Sequence, residues 1–157
     1  MQRRTVILAL TTAPLASLAG QEAKPMKASG YFDITLAPQS ADNDPVRTAQ
    51  IDRLSIDKKY HGDIQGTSTG QMQAIKNEQD TGAYVALEKV VATLQGRSGT
   101  FLVMHYGYMS KGGIGRWLVE VVPDSGTEGL AGLSGTIKII QKDKTHFYEM
   151  EYELPRV

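Results

Sequence analysis

Two residues in this chain have the types and the spacing to move or bind a proton together. Glu88 and His105 lie on the two arms of Gly82–Met109 (GAYVALEKVVATLQGRSGTFLVMHYGYM), a stretch rich in Val, Leu, Tyr, Phe and Thr. Such residues fit a pleated, half-buried surface, so the stretch reads as two β-strands around a tight turn. Gln95-Gly96-Arg97-Ser98, with Gly at the first central position of a type II′ turn, sets Glu88 directly opposite His105. A four-residue loop over Gly96–Gly99 sets His105 against Val90 and makes Glu88 its diagonal neighbour. Either register leaves one carboxylate and one imidazole on an otherwise small or apolar face with Tyr84, Ala86, Val90, Phe101 and Val103. A carboxylate beside an imidazole orients the ring and favours its charged form, which suits proton transfer or the holding of a polar group. The plainer alternative is a cross-strand ion pair worth a fraction of a kcal/mol, as exposed pairs usually are.

The rest of the chain supplies strands to carry that hairpin. Lys27–Ala37, Ile51–Tyr60 and Ile64–Lys76 precede it, and Arg116–Val122, Thr136–Gln141 and His146–Leu154 follow. In the last of these Tyr148, Met150, Tyr152 and Leu154 alternate with Phe147, Glu149, Glu151 and Glu153, an apolar-in, charged-out pattern. Along Ile64–Lys76 the small residues Gly66, Ser68, Gly70 and Ala74 share a face, as a tight barrel interior or a close ligand approach requires. Pro38–Ala49 and the Gly-rich Pro123–Gly135 read as loops. No segment carries a useful 3.6-residue period. The expectation is an all-β fold, a small closed antiparallel barrel of about eight strands, because closure removes exposed edges. Its expected buried set is Phe32, Ile34, Tyr84, Val90, Val103, Tyr148, Met150 and Tyr152.

At 157 residues the chain suits one domain. Residues 1–19 read as a signal peptide: Arg3-Arg4, the apolar Thr5–Ala19, and small residues Ser17-Leu18-Ala19 before the cut. The apolar run is shorter than the roughly 20 residues a spanning helix needs, and Pro14 interrupts it, so no stable membrane insertion is expected. Arg3-Arg4-Thr5-Val6-Ile7 also resembles a twin-arginine export motif. Residues 20–26 form a linker and 27–155 the barrel, with a periplasmic or secreted location. Without the leader, fifteen basic residues face seventeen acidic ones. There is no basic stripe, and nucleic acid is not an expected partner. The chain has no cysteine, which removes disulfides, thiolate ligands and cysteine nucleophiles together.

Other candidates yield to simpler readings. His61 and Asp63 flank a turn glycine, where the aspartate accepts backbone amides. A metal site from His61, His105 and His146 needs three distant strands to converge, and none is expected. His146 reads as solvated. The loop Asp124–Gly135 lacks a P-loop lysine and precedes a strand, so it is no phosphate cradle. No cofactor motif is present. The outward set Val85, Leu87, Val91, Leu102, Met104, Tyr106 and Tyr108 is apolar too, which predicts a homo-oligomer.

Lys58–Ser68 (KKYHGDIQGTS), Gly96–Phe101 (GRSGTF) with Gly82–Glu88, and Val122–Gly135 (VPDSGTEGLAGLSG) together resemble the bacterial DUF3224 family, a domain of unknown function placed with the allene oxide cyclase-like barrels. The Ser125-Gly126-Thr127 loop is similar to one in plant dirigent and allene oxide cyclase proteins. The family usually carries Glu where this chain has Gln71. The resemblance implies the barrel and does not by itself imply a reaction. Two functions stay open. One is the binding of a small apolar or amphipathic molecule, with Tyr84, Glu88, His105, Ser68 and Trp117 as its lining. The other is a cyclase or isomerase using Glu88 and His105 as catalytic residues. A structural or interaction domain is the third reading.

Overall fold

The structure, a computed structural model, describes residues 25–156. The expected leader and most of the expected linker lie outside these residues. Eight strands close into one antiparallel barrel in sequence order: β1 Met26–Gln39, β2 Asp52–Gly62, β3 Ile64–Lys76, β4 Gly82–Leu94, β5 Arg97–Ser110, β6 Gly113–Val121, β7 Ser134–Lys142 and β8 Thr145–Glu153. The expected all-β barrel is the observed one. Side chains alternate along each strand, so every second residue enters the interior. Along β4 all six inward residues from Tyr84 to Leu94 are buried, and along β5 so are Phe101, Val103 and His105. Of the residues expected to be buried, only Ile34 is half-exposed.

The central hairpin has neither register expected from its sequence. Leu94 pairs with Arg97, and Gln95 and Gly96 form the two-residue turn, both with positive φ (49° and 77°). That is the primed geometry whose twist matches the strands, and here it places glycine second instead of first. His105 therefore faces Ala86 and Glu88 faces Val103. The two remain diagonal neighbours on the inner face. The segment expected to be a plain loop after β1 contains one helical turn, α1 (Asp44–Thr48). Asn43 caps it through its side-chain oxygen, which accepts from the Val46 N–H at 3.1 Å, and Pro45 suits the first turn.

The two ends of the barrel differ. At one end the β2–β3 and β4–β5 turns meet the connection between β6 and β7. That connection, with a 3-10 turn at Glu128–Leu130, inserts Leu130 and Leu133 against Ile64, Leu94 and Phe101. Its Ser125 and Thr127 hydroxyls accept from the Leu102 and Thr100 N–H groups at 3.0 and 2.9 Å. They satisfy the stretch of β5 that β6 does not reach. The Gly-rich loop is thus a plug. Tyr148, from β8, crosses the interior at this end. Its hydroxyl accepts from the Ile64 N–H at 2.8 Å and donates to the His61 carbonyl at 3.2 Å. At the opposite end a second apolar cluster (Ile56, Ala74, Tyr84, Ala86) is finished only by half-buried Ile34, Met72, Met109 and Trp117.

Tyr148→Phe keeps the ring and removes the only side-chain partner of the Ile64 N–H among the described residues. A buried donor left unpaired costs about 1–3 kcal/mol, so chemical unfolding should show a loss of that size with an unchanged denaturant slope.

Candidate functional site

Between the two apolar clusters lies a polar layer. Lys58, Ser68, Glu88 and His105 are each 5% exposed or less. They come from four consecutive strands, β2 to β5, at positions that alternation turns inward. Lys58 pairs with Ser68 across β2 and β3, and Glu88 pairs with Gly70 across β3 and β4. Gly70 has no side chain, and a Cβ there would stand 2.7 Å from Glu88 Cγ. The Glu88 side chain therefore leans over β3 towards its partners. The small-residue stripe on β3 is what makes room for a buried carboxylate.

Three groups converge on that carboxylate. Lys58 Nζ donates to Oε1 at 2.6 Å, and Ser68 Oγ donates to Oε2 at 2.5 Å. His105 Nε2 stands 2.8 Å from Oε1. This last contact is close but off the ring's N–H direction, so it is an electrostatic contact more than an aligned hydrogen bond. Both ring nitrogens of His105 are buried without an aligned hydrogen-bond partner among the described residues, and of the two only Nε2 has the Glu88 contact. Lys58 Nζ also lies over the Phe32 ring, 4.8 Å from its centroid, which adds a cation–π contact to a desolvated ammonium. Burial alone would raise the Glu88 carboxyl. His105, Lys58 and Ser68 outweigh it and hold the group at about 2, so it is a carboxylate at neutral pH.

Aromatic rings surround this layer. Burial raises the Tyr60 phenol, and the Glu88 charge raises it further. Tyr84 meets His105 edge-on, with ring centroids 5.6 Å apart. Burial pushes the Tyr84 phenol up to about 12, opposed by the nearby Trp117 N–H. Trp117 pairs with Gly107, which also pairs with Tyr84. The absent side chain lets both rings close over that point, where a Cβ would lie 2.5 Å from Tyr84 and 2.7 Å from Trp117. Trp117 Nε1 is buried without an aligned partner.

The structure thus brings Glu88, His105 and Ser68 into one cluster, with Tyr84 and Trp117 beside it towards the half-buried end. Lys58 belongs to the cluster and was not singled out in the sequence. The signal was present: Ile56, Lys58 and Tyr60 are alternate residues of one strand, and both neighbours are core residues. His146 differs from its solvated expectation. It is half-buried, stacks on Phe32 at 5.3 Å, and has its pKa lowered by burial first and by Lys58 second. His61 lies on the outer surface, stacked on Tyr31 with Nε2 2.9 Å from Asp33 Oδ2. The three histidines do not converge. Asp63 accepts from the Ser29 N–H at 2.7 Å, the structural role its turn position implied. Gln71 is exposed on the outer face opposite Leu87, outside the cluster.

The Glu88 arrangement has a pH signature. The unfolded carboxyl titrates near 4.5 and the folded one near 2, so the unfolded chain takes up the proton first. The stabilisation is complete above about 4.5 and is lost as pH falls towards about 2. Unfolding measured across that window should steepen in the wild type and flatten in Glu88→Gln; identical slopes would remove the assignment.

Comparison with known proteins places this chain in a family. A family model described as a protein of unknown function (DUF3224) matches residues 28–152. A crystal structure of a protein with unknown function from the DUF3224 family of Shewanella oneidensis MR-1 is 35% identical, with a TM-score of 0.76. The match covers 85% of this chain and all of that one. No curated protein matches. By both the family model and the solved relative, this chain belongs to the DUF3224 family.

Proposed function

We propose that this is an exported small barrel that binds one apolar or amphipathic molecule at its half-buried end, above the Lys58–Glu88–His105 layer. The observation that carries the reading is the boundary between that layer and the apolar cluster around Ile56 and Tyr84. There His105 Nδ1 is buried and unpartnered. Ligand sites in small barrels combine an apolar wall with a few placed polar groups, and this boundary has both. Glu88 weighs against the proton-transfer alternative. A general base works best with a pKa near the operating pH, and a carboxyl held near 2 is far from it. The export half of the reading rests on the residue pattern of positions 1–19.

Native mass spectrometry of the protein purified gently from its source tests both halves. A small molecule released unchanged on denaturation, from a chain lacking residues 1–19, is the expected result. A chemically converted molecule would favour the enzyme, and an intact leader in the cytoplasm would remove export. If nothing is released, and Glu88→Gln and His105→Ala alter only stability, the barrel is a structural or interaction domain.

A second copy of this chain is the proposed partner of the outer face of β3–β5. Val85, Leu87, Val91 and Tyr108 are each more than half exposed there. Lys89 is the only charged side chain at the outward positions of these strands, whereas β8 turns Glu149, Glu151 and Glu153 outward. An apolar face with a single charge meets its own copy with little like-charge repulsion. Sedimentation at micromolar concentration should show a dimer or larger that Leu87→Lys disperses; a monomer in the wild type would refute it.

A further inference from the structure

We propose that the bound molecule ends in a neutral hydroxyl, received by His105 Nδ1 and the Trp117 indole N–H. This rests on the binding reading and adds the chemistry of the head group. Both atoms are buried, and neither has an aligned hydrogen-bond partner among the described residues; the Tyr84 hydroxyl lies near the indole N–H but out of line with it. Their residues lie on adjacent strands and the same inward face. Gly107 pairs with Trp117 and His105 with Val119, which makes His105 and Trp117 diagonal neighbours. Diagonal positions are about 7–8 Å apart at the backbone, within the reach of two rings of this length.

The needs of the two atoms differ in sign. Glu88 is a carboxylate, so the His105 nitrogen facing it, Nε2, is the one that carries hydrogen. In its neutral form the ring then presents Nδ1 as an acceptor, whereas an indole N–H can only donate. One group meeting both must donate and accept, and a hydroxyl does. A carboxylate only accepts, and it would bring a second negative charge close to Glu88. An ammonium only donates, and it would add to the charge of Lys58. The surroundings suit an apolar tail, because Ile34, Met72 and Met109 are the half-buried residues at this end.

The barrel wall has its shortest ladder on one side. β6 and β7 are joined through a single residue pair, Glu120 with Thr136, whereas their other neighbours pair along most of their length. From that pair towards the half-buried end no further residue pair joins the two strands. Trp117 lies on this unzipped side of β6, three residues from the pair. This short ladder therefore lies beside one of the two atoms that the hydroxyl would meet, and its opening would give the ligand a way in.

Trp117 is the only tryptophan, so its emission reports events at this point. Titration with decanol, decanoate and decylamine at neutral pH should shift that emission. Decanol should bind at least about tenfold more tightly than either charged analogue. In Trp117→Phe and His105→Phe, followed by calorimetry, the preference for decanol should fall by a similar factor; either variant suffices if the other does not fold. Equal binding of the three compounds, or a preference unchanged in the variants, overturns the head-group inference and leaves binding intact. A co-purified molecule without a hydroxyl overturns it too. If none of the three binds and nothing co-purifies, the binding reading falls, and this inference with it.

Discussion

The buried Glu88 carboxylate is the constraint around which the interior is arranged. Taking a carboxylate and an ammonium out of water costs several kcal/mol for each ion, and their attraction offsets this only with good geometry and satisfied lone pairs. Here both carboxylate oxygens are engaged, one by Lys58 and His105, the other by Ser68. The requirement reaches into the strands. β3 must be small at Ser68 and Gly70, and Phe32 must present a ring face to the ammonium. An apolar layer of similar volume would often serve stability as well or better. Stability alone is therefore a poor reason for the charges, and that is why the functional reading begins there.

Closing eight strands around such a layer leaves two ends and a seam to manage. The plugged end is hydrogen-bonded as well as apolar: Tyr148 ties β8 to the β2–β3 turn, and Ser125 and Thr127 complete the edge of β5. Leu130 and Leu133 then exclude water behind them. The other end has no comparable plug among the described residues. Its outermost apolar side chains, Ile34, Met72, Met109 and Trp117, are half-buried, and β6 and β7 share no residue pair on the way to it. A barrel tight at one end and loose at the other has a direction. Two of the buried groups with unmet hydrogen-bonding capacity, His105 Nδ1 and Trp117 Nε1, belong to residues packed on or beside the apolar cluster of that looser end.

Much of this was legible in the residues, and the failures have physical reasons. Period-two alternation places Glu88, His105, Tyr84 and Phe101 on one face whatever the turn, because both sequence registers and the observed one differ by an even number of residues. The exact pairing was not legible. It depends on Gln95 accepting positive φ, a conformation glycine takes at no cost and other residues only under the pull of strand twist. Lys58 was hidden by its type, since an isolated lysine in a strand is almost always solvated. Only its place between Ile56 and Tyr60 argued otherwise. His146 was hidden by its position at a strand start, where exposure is the usual outcome, yet its pairing with Phe32 turns it inward.

The solved DUF3224 relative covers the whole barrel, so the fold is common ground and carries no function by itself. What discriminates among functions is the state of the polar layer. An acid–base catalyst needs a group whose protonation changes during the reaction, and Glu88 is held by three partners that all favour its charged form. Such a carboxylate acts instead as a fixed charge that sets the orientation of the histidine beside it. In the binding reading the chemistry then passes to the far side of the imidazole, to the unpartnered Nδ1. In that proposed reading the ion pair positions, and the unpaired nitrogen recognises.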